Sequence, residues 1–197
     1  GINRSTPFLS TPEDELGYLV NQAHNKGIRV AFGPCIRDIQ FARGEIRPTD
    51  WDLWFANYAE IASRKAQLAA DLGADLFVVG ESLQNVTGTI NSWDWSDNFS
   101  RILSRCRALY PGPITYIDGL LIHNEYQDPD DWQKMAFLPE LDYVSTSPYF
   151  VGMFKNEEPT VQDIVEVYPS LIEGFIEPLL EFADRPVLLF ENGVPSM

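Results

Sequence analysis

An α/β fold built on a parallel sheet, of the (β/α)8 or TIM-barrel type but only partial, is predicted by three observations. Apolar runs without polar alternation, such as Leu76 to Val79 and Val187 to Phe190, mark strands covered on both faces. Segments with helical spacing of apolar residues alternate with these runs, about five strands in all, and right-handed crossovers then make the sheet parallel. Glu81, Asp118 and Glu191 each follow such a run, at the carboxyl ends of strands where these sheets gather their chemistry.

Taken in order, Thr11-Pro12-Glu13-Asp14 predicts a helix start, with a capping hydroxyl, an early proline and acids where the helix dipole favours them. Leu16, Leu19, Val20 and Ala23 form its apolar stripe, Gly27 ends it, and Ile28 to Gly33 supplies the first strand. Gly33-Pro34 breaks that strand before a loop, Cys35 to Pro48, that holds Arg37, Asp38, Arg43 and Glu45. Thr49 and Asp52 frame the second helix, where Trp51, Phe55, Tyr58, Ala62, Leu68 and Leu72 lie at helical spacing up to Gly73. Leu76 to Val79 is the second strand, followed by a polar loop with Trp93 and Trp95. A helix from near Asp97 carries Phe99, Ile102, Leu103, Cys106 and Leu109, and Pro111-Gly112-Pro113 stops it. Ile114 to Ile117 is the third strand, ending at Asp118. Gly119 to Leu138 has a weak pattern, with one short helix near Asp131 to Phe137. Tyr143 to Ser147 reads as a strand, Thr160 to Phe182 as a helical region kinked or split by Pro169 and Pro178, and Val187 to Phe190 as the last strand.

The 197 residues, 45% hydrophobic and 22% charged, suit a single domain over 1–197 with a sizeable core. A net charge of -15 argues against nucleic acid or an anionic membrane surface as partner. No apolar run approaches the ~18 residues of a membrane span, and Gly-Ile-Asn-Arg at the start has the pattern of neither a signal peptide nor an anchor. The chain therefore reads as soluble, with its compartment left open. Cys35 and Cys106 match no metal spacing, His24 and His123 are too few for a cluster, and no glycine-rich phosphate loop precedes a helix. No metal and no cofactor are expected. A complete barrel typically takes ~250 residues. Two readings stay open: the interior of a barrel lacking about two strands before Gly1 and one after Met197, or a short barrel that covers its open edges by self-association.

Glu81 and Glu191 are 191 - 81 = 110 residues apart, room for three βα crossovers that set them across a barrel mouth from one another. Retaining glycoside hydrolysis needs such a pair, a nucleophile and an acid/base about 5 to 5.5 Å apart. A lone strand-end glutamate is more often solvated or caps a helix; the pair is what points to carbohydrate as the substrate. Trp93 and Trp95 have the aromatic faces that stack on sugar rings, or they lid the core. Arg37, Asp38 and Arg43 suit sugar hydroxyls and equally suit surface ion pairs.

The run Trp51 to Tyr58, then Gly73-Ala74-Asp75-Leu76-Phe77-Val78-Val79-Gly80, Pro113-Ile114-Thr115-Tyr116, Leu141-Asp142-Tyr143-Val144 with Tyr149-Phe150, and Arg185 to Gly193 together resemble glycoside hydrolase family 113. That family belongs to the clan A hydrolases, (β/α)8 barrels that include β-mannanases. The resemblance spans nearly the whole chain, from the third to the seventh barrel strand. It implies a retaining glycosidase with the acid/base at the end of the fourth strand and the nucleophile at the end of the seventh, which is Glu191. It also implies that Tyr149 supports the nucleophile. On the fourth strand the family pattern is glycine, a small residue, the catalytic glutamate and leucine, whereas this chain has Gly80, Glu81, Ser82 and Leu83. Neighbouring residues on a strand face opposite ways, so Glu81 takes the acid/base role only if a bulge or an early strand end re-aims it. Otherwise Asp118 supplies the acid or the site is impaired. Cys35 stands where relatives carry a histidine.

Overall fold

A computed structural model describes residues 12–36, 46, 48–83, 94–118, 133, 135–147 and 160–190, with the side chains at 94–96 and 118 outside that description. Five strands form one parallel sheet in sequence order: β1 (Ala31–Phe32), β2 (Leu76–Glu81), β3 (Ile114–Asp118), β4 (Tyr143–Thr146) and β5 (Val187–Leu189). Every neighbouring pair is parallel, and among the described residues α-helices lead into β1, β2, β3 and β5 while a 3-10 turn leads into β4. The architecture is a partial (β/α)8 barrel. Among the described residues β1 and β5 each have one neighbour, so the sheet is an open segment.

The connecting helices are α1 (Glu13–Asn25), α2 (Trp51–Leu72), α3 (Asp94–Arg107), α4 (Val161–Leu171) and α5 (Glu177–Ala183), with a 3-10 turn at Leu138–Glu140. Asp50, not Thr49, caps α2, its carboxylate accepting from the Leu53 amide at 2.9 Å, and Gly73 ends the helix in the left-handed conformation at φ 70. Alpha-helix 2 buries Phe55, Tyr58, Ala59, Ala62, Ala66 and Ala69 on one face. The alanine row lets the helix lie close to the sheet. Helix α3 begins at Asp94, three residues before Asp97, so Trp95 belongs to its first turn rather than to the preceding loop. The long helical region Val161 to Ala183 does not break at either proline. It passes through a π turn at Ile172–Ile176, between Pro169 and Pro178.

The core lies between the helices and one face of the sheet. Phe77, Val79, Ile114, Tyr116 and Val144 point into it from the strands. Phe99 of α3 sits at its centre, stacked on Phe137 at 5.0 Å and edge-on to Tyr116 at 6.0 Å. Cys106 is buried there as a free thiol, and desolvation pushes its pKa up to about 12; Cys35 is also free, so no bridge joins them. On the opposite face Val78, Thr115, Ile117 and Ser145 are buried, with the Thr115 and Ser145 hydroxyls 2.6 Å apart. At the open ends apolar side chains face solvent, among them Tyr18 and Leu19 on α1 and Val161 and Val165 on α4. No described helix is long and apolar enough to cross a membrane.

Asp75 fastens the start of β2 to the first βα unit. Its carboxylate accepts from the Val30 amide at 2.8 Å and pairs with His24 at 2.9 Å. The Val30 hydrogen bond first, and the His24 contact second, hold the Asp75 carboxyl below its ordinary range. A depressed folded-state pKa means stability that is present above the unfolded value of about 3.9 and is lost as pH falls through the folded value. Asp75→Asn should therefore lower Tm at neutral pH, and the difference from the parent should close on acidification. Thermal melts that keep a constant difference down to about pH 2 would refute the coupling.

Candidate active site

Strand β2 carries one residue more than the β3 segment it pairs with. Phe77 opposes Ile114 and Val78 opposes Thr115, but Glu81 opposes Ile117, with a register shift between Val78 and Glu81. The hydrogen bonds give the same count. Phe77 N–H donates to Pro113 and Ser82 N–H donates to Ile117, 82 - 77 = 5 residues against 117 - 113 = 4. The insertion is a β-bulge. Paired residues of parallel strands share a face, and Ile117 lies opposite to the helix-facing Tyr116. The bulge thus sets Glu81 on the face of Val78, Thr115 and Ile117, the side away from the helices. In a regular ladder Gly80 would hold that position. The row continues through Ser145 to Leu188, crossing the sheet near its carboxyl end.

Two phenols contact the bulge from the helix-facing side of the sheet. Tyr58 of α2 donates its hydroxyl to the Val79 carbonyl at 2.7 Å, and the Tyr116 hydroxyl accepts from the Leu83 amide at 2.8 Å. Burial, above all, raises the Tyr58 phenol well beyond its ordinary pKa, so it stays a neutral donor. A Cβ on Gly80 would fall 2.8 Å from the Tyr58 hydroxyl and 3.1 Å from both the Leu83 and Tyr116 side chains. Gly33 is confined as well, since a Cβ there would collide with the Val78 carbonyl. Ser82 then turns the chain out of the strand at φ 50, a left-handed conformation uncommon for a residue with a side chain.

Of the predicted site residues, Glu81 is partly exposed at the end of β2. Asp118 ends β3 and pairs with Thr146, outside the row that holds Glu81, Ile117 and Ser145. Trp95 lies in the first turn of α3. Glu191, Tyr149, Trp93 and Arg37 lie outside the described residues, as do Asp38, Arg43 and His123. Tyr58, Tyr116 and Gly80 are residues that the sequence reading did not connect with the site. Gly80 carried a usable signal, because an isolated glycine within a strand pattern marks a bulge or a close approach. Among the described residues no group of His, Cys, Asp and Glu is placed to hold a metal ion.

Solved structures place this fold among the TM-score matches of (β/α)8 glycosidases. A family 113 β-mannanase from Alicyclobacillus acidocaldarius superposes with TM-score 0.68 at 20% identity, over 96% of this chain and 54% of that one. A family 113 β-1,4-mannanase gives 0.66 at 22% identity, over 94% and 53%. A fungal β-1,4-galactanase gives 0.59 at 15%, over 93% and 57%. These likenesses show the fold, and the chain spans about half the length of the solved relatives. No curated protein sequence matches. The sequence profile of glycoside hydrolase family 113 matches residues 6–197, and the chain belongs to that family.

Gly80→Ala places a methyl group against a buried phenol and should destabilise the protein by about 1–3 kcal/mol, as overpacking of a tight site does. Denaturant unfolding of the parent and the variant measures it. An unchanged midpoint would show that the bulge is looser than its contacts indicate.

Proposed function

We propose that the protein is a retaining glycoside hydrolase acting on a β-linked polysaccharide or oligosaccharide, with Glu191 as nucleophile and Glu81 as acid/base. The observation that carries the reading is the bulge, which sets Glu81 on the face of Ile117 at the carboxyl end of β2. Family membership supports it. So does the position of Glu191, two residues after β5 ends at Leu189. In this reading Glu191 attacks the anomeric carbon while Glu81 protonates the departing glycosidic oxygen. Glu81 then takes a proton from the water that releases the glycosyl group from Glu191. The names of the family 113 relatives, β-mannanase and β-1,4-mannanase, make mannan the first substrate to try. Tyr149 supports the nucleophile, and Trp93, Trp95 and Arg37 are the proposed sugar contacts.

A second reading, a barrel that binds carbohydrate without turning it over, is favoured by one observation. Ser82, at the place of the family's catalytic glutamate, offers a hydroxyl that is far too weak an acid to protonate a leaving group. Two variants separate the readings. Glu191→Ala should lower hydrolysis of an aryl β-glycoside by on the order of a thousandfold or more. Glu81→Ala should retain turnover of an activated aryl glycoside and be accelerated by azide, which takes the vacated place beside the glycosyl intermediate. Full activity in Glu191→Ala removes the assignment, and sugar binding without turnover by the parent protein selects the second reading.

A further inference from the structure

We infer that Tyr58 and Tyr116 are positioning residues: their hydroxyls, one from α2 and one from β3, fix the β2 bulge from the helix-facing side of the sheet and thereby set the face on which Glu81 stands. The inference deepens the proposed function and rests on its reading of Glu81 as the acid/base. Three observations carry it. The two phenols bracket the inserted segment, one bonded to the Val79 carbonyl at 2.7 Å and the other to the Leu83 amide at 2.8 Å. Both rings are wholly buried, at 2% and 0% exposure, so neither hydroxyl can drift to solvent. Gly80, between the two bonds, lies close enough to both rings that the segment has no room for a side chain.

The physical argument concerns two competing registers. A regular β2 would continue the pairing of Phe77 with Ile114 and put Gly80 opposite Ile117, with Glu81 turned toward the helices. That face is filled with buried aromatic side chains, where a carboxylate is costly. The bulged register moves the carboxylate away, and the phenols give it hydrogen bonds that the regular strand would place elsewhere. Removing one hydroxyl while keeping the ring weakens the bulged register without opening a cavity.

A matched control exists on the same strand approach. Tyr110 donates its hydroxyl to the Ala74 carbonyl at 2.7 Å, ahead of β2, and is buried as well. Tyr58→Phe and Tyr110→Phe therefore remove similar phenol-to-carbonyl bonds at opposite ends of β2. Amide hydrogen exchange reads the bulge whether or not the protein hydrolyses a substrate. Tyr58→Phe should speed exchange at Ser82 and Leu83 by on the order of tenfold or more, whereas Tyr110→Phe should leave those two amides unchanged. Hydrolysis reads the consequence. In Tyr58→Phe, kcat on a glycoside with a poor leaving group should fall about tenfold to a hundredfold, with little change on an activated dinitrophenyl glycoside, which needs no acid assistance. Tyr110→Phe should show no such dependence on the leaving group. Unchanged exchange at Ser82 and Leu83 in Tyr58→Phe overturns the inference. So does faster exchange with undiminished kcat on the poor leaving group, in a parent protein that is active. A parent protein without turnover removes the proposed function, and exchange at Ser82 and Leu83 in Tyr58→Phe and in Tyr116→Phe then decides by itself whether each phenol holds the bulge.

Discussion

The extra residue in β2 is the constraint on which the carboxyl end of the sheet depends. Strands of a parallel sheet stay in register unless something compensates for the ladder that an insertion disturbs. Here the compensation comes from the helix-facing side of the sheet, from Tyr58 on α2 and Tyr116 on β3. Tyr58 reaches the Val79 carbonyl from the middle of α2, so the placement of that helix matters. Asp50 caps its first turn and Gly73 ends its last, while Ala62, Ala66 and Ala69 bring it against the sheet with no exposed surface of their own. The same carbonyl bond would be out of reach if bulkier side chains held the helix away.

The packing around Phe99 links this arrangement to β3. Phe99 touches Phe55 and Tyr58 on α2, Tyr116 on β3 and Phe137 beyond it. Tyr116 is thereby locked from the helix side while its hydroxyl holds Leu83. The opposite face has a different character. Thr115 bonds both to Ser145 and to the Tyr143 carbonyl, a small hydrogen-bonded layer in which the polar groups satisfy one another. One face of the sheet is thus fixed by aromatic volume and the other by hydroxyl pairing.

Much of this was legible in the sequence because it depends on local pattern. The stripe from Phe55 to Ala69 gives α2, the apolar run gives β2, and Gly73 gives the helix end. Boundaries were less so. Asp50 and Thr49 are both good caps, and only the observed hydrogen bond to Leu53 separates them. The polar stretch before Asp97 has no apolar period and so reads as loop, yet Trp95 lies in the first turn of α3, because a helix start needs no such period. The prolines of the last helical region mark real irregularity, since it divides into α4, a π turn at Ile172–Ile176 and α5, with the turn between Pro169 and Pro178. Of the short helix expected at Asp131 to Phe137, residues 133 and 135–137 are described and none is α-helical; the 3-10 turn lies just after it, at Leu138–Glu140.

The pair of glutamates was legible as residue types at strand ends, but the facing of Glu81 was not, because it is a property of two strands rather than one. Sequence alternation counts along β2, and by that count Glu81 stands one step away from the family's position, at Ser82. A one-residue displacement in a regular strand reverses the face. A one-residue insertion in the ladder reverses it again, so the two cancel at Glu81. Ser82 then takes the left-handed turn at φ 50, outside the alternation altogether. A serine hydroxyl is far too weak an acid to protonate a leaving group, so in the proposed mechanism Glu81 serves as acid only as far as the bulge holds, and the stiffness of the packing behind the bulge bears on chemistry as well as on structure.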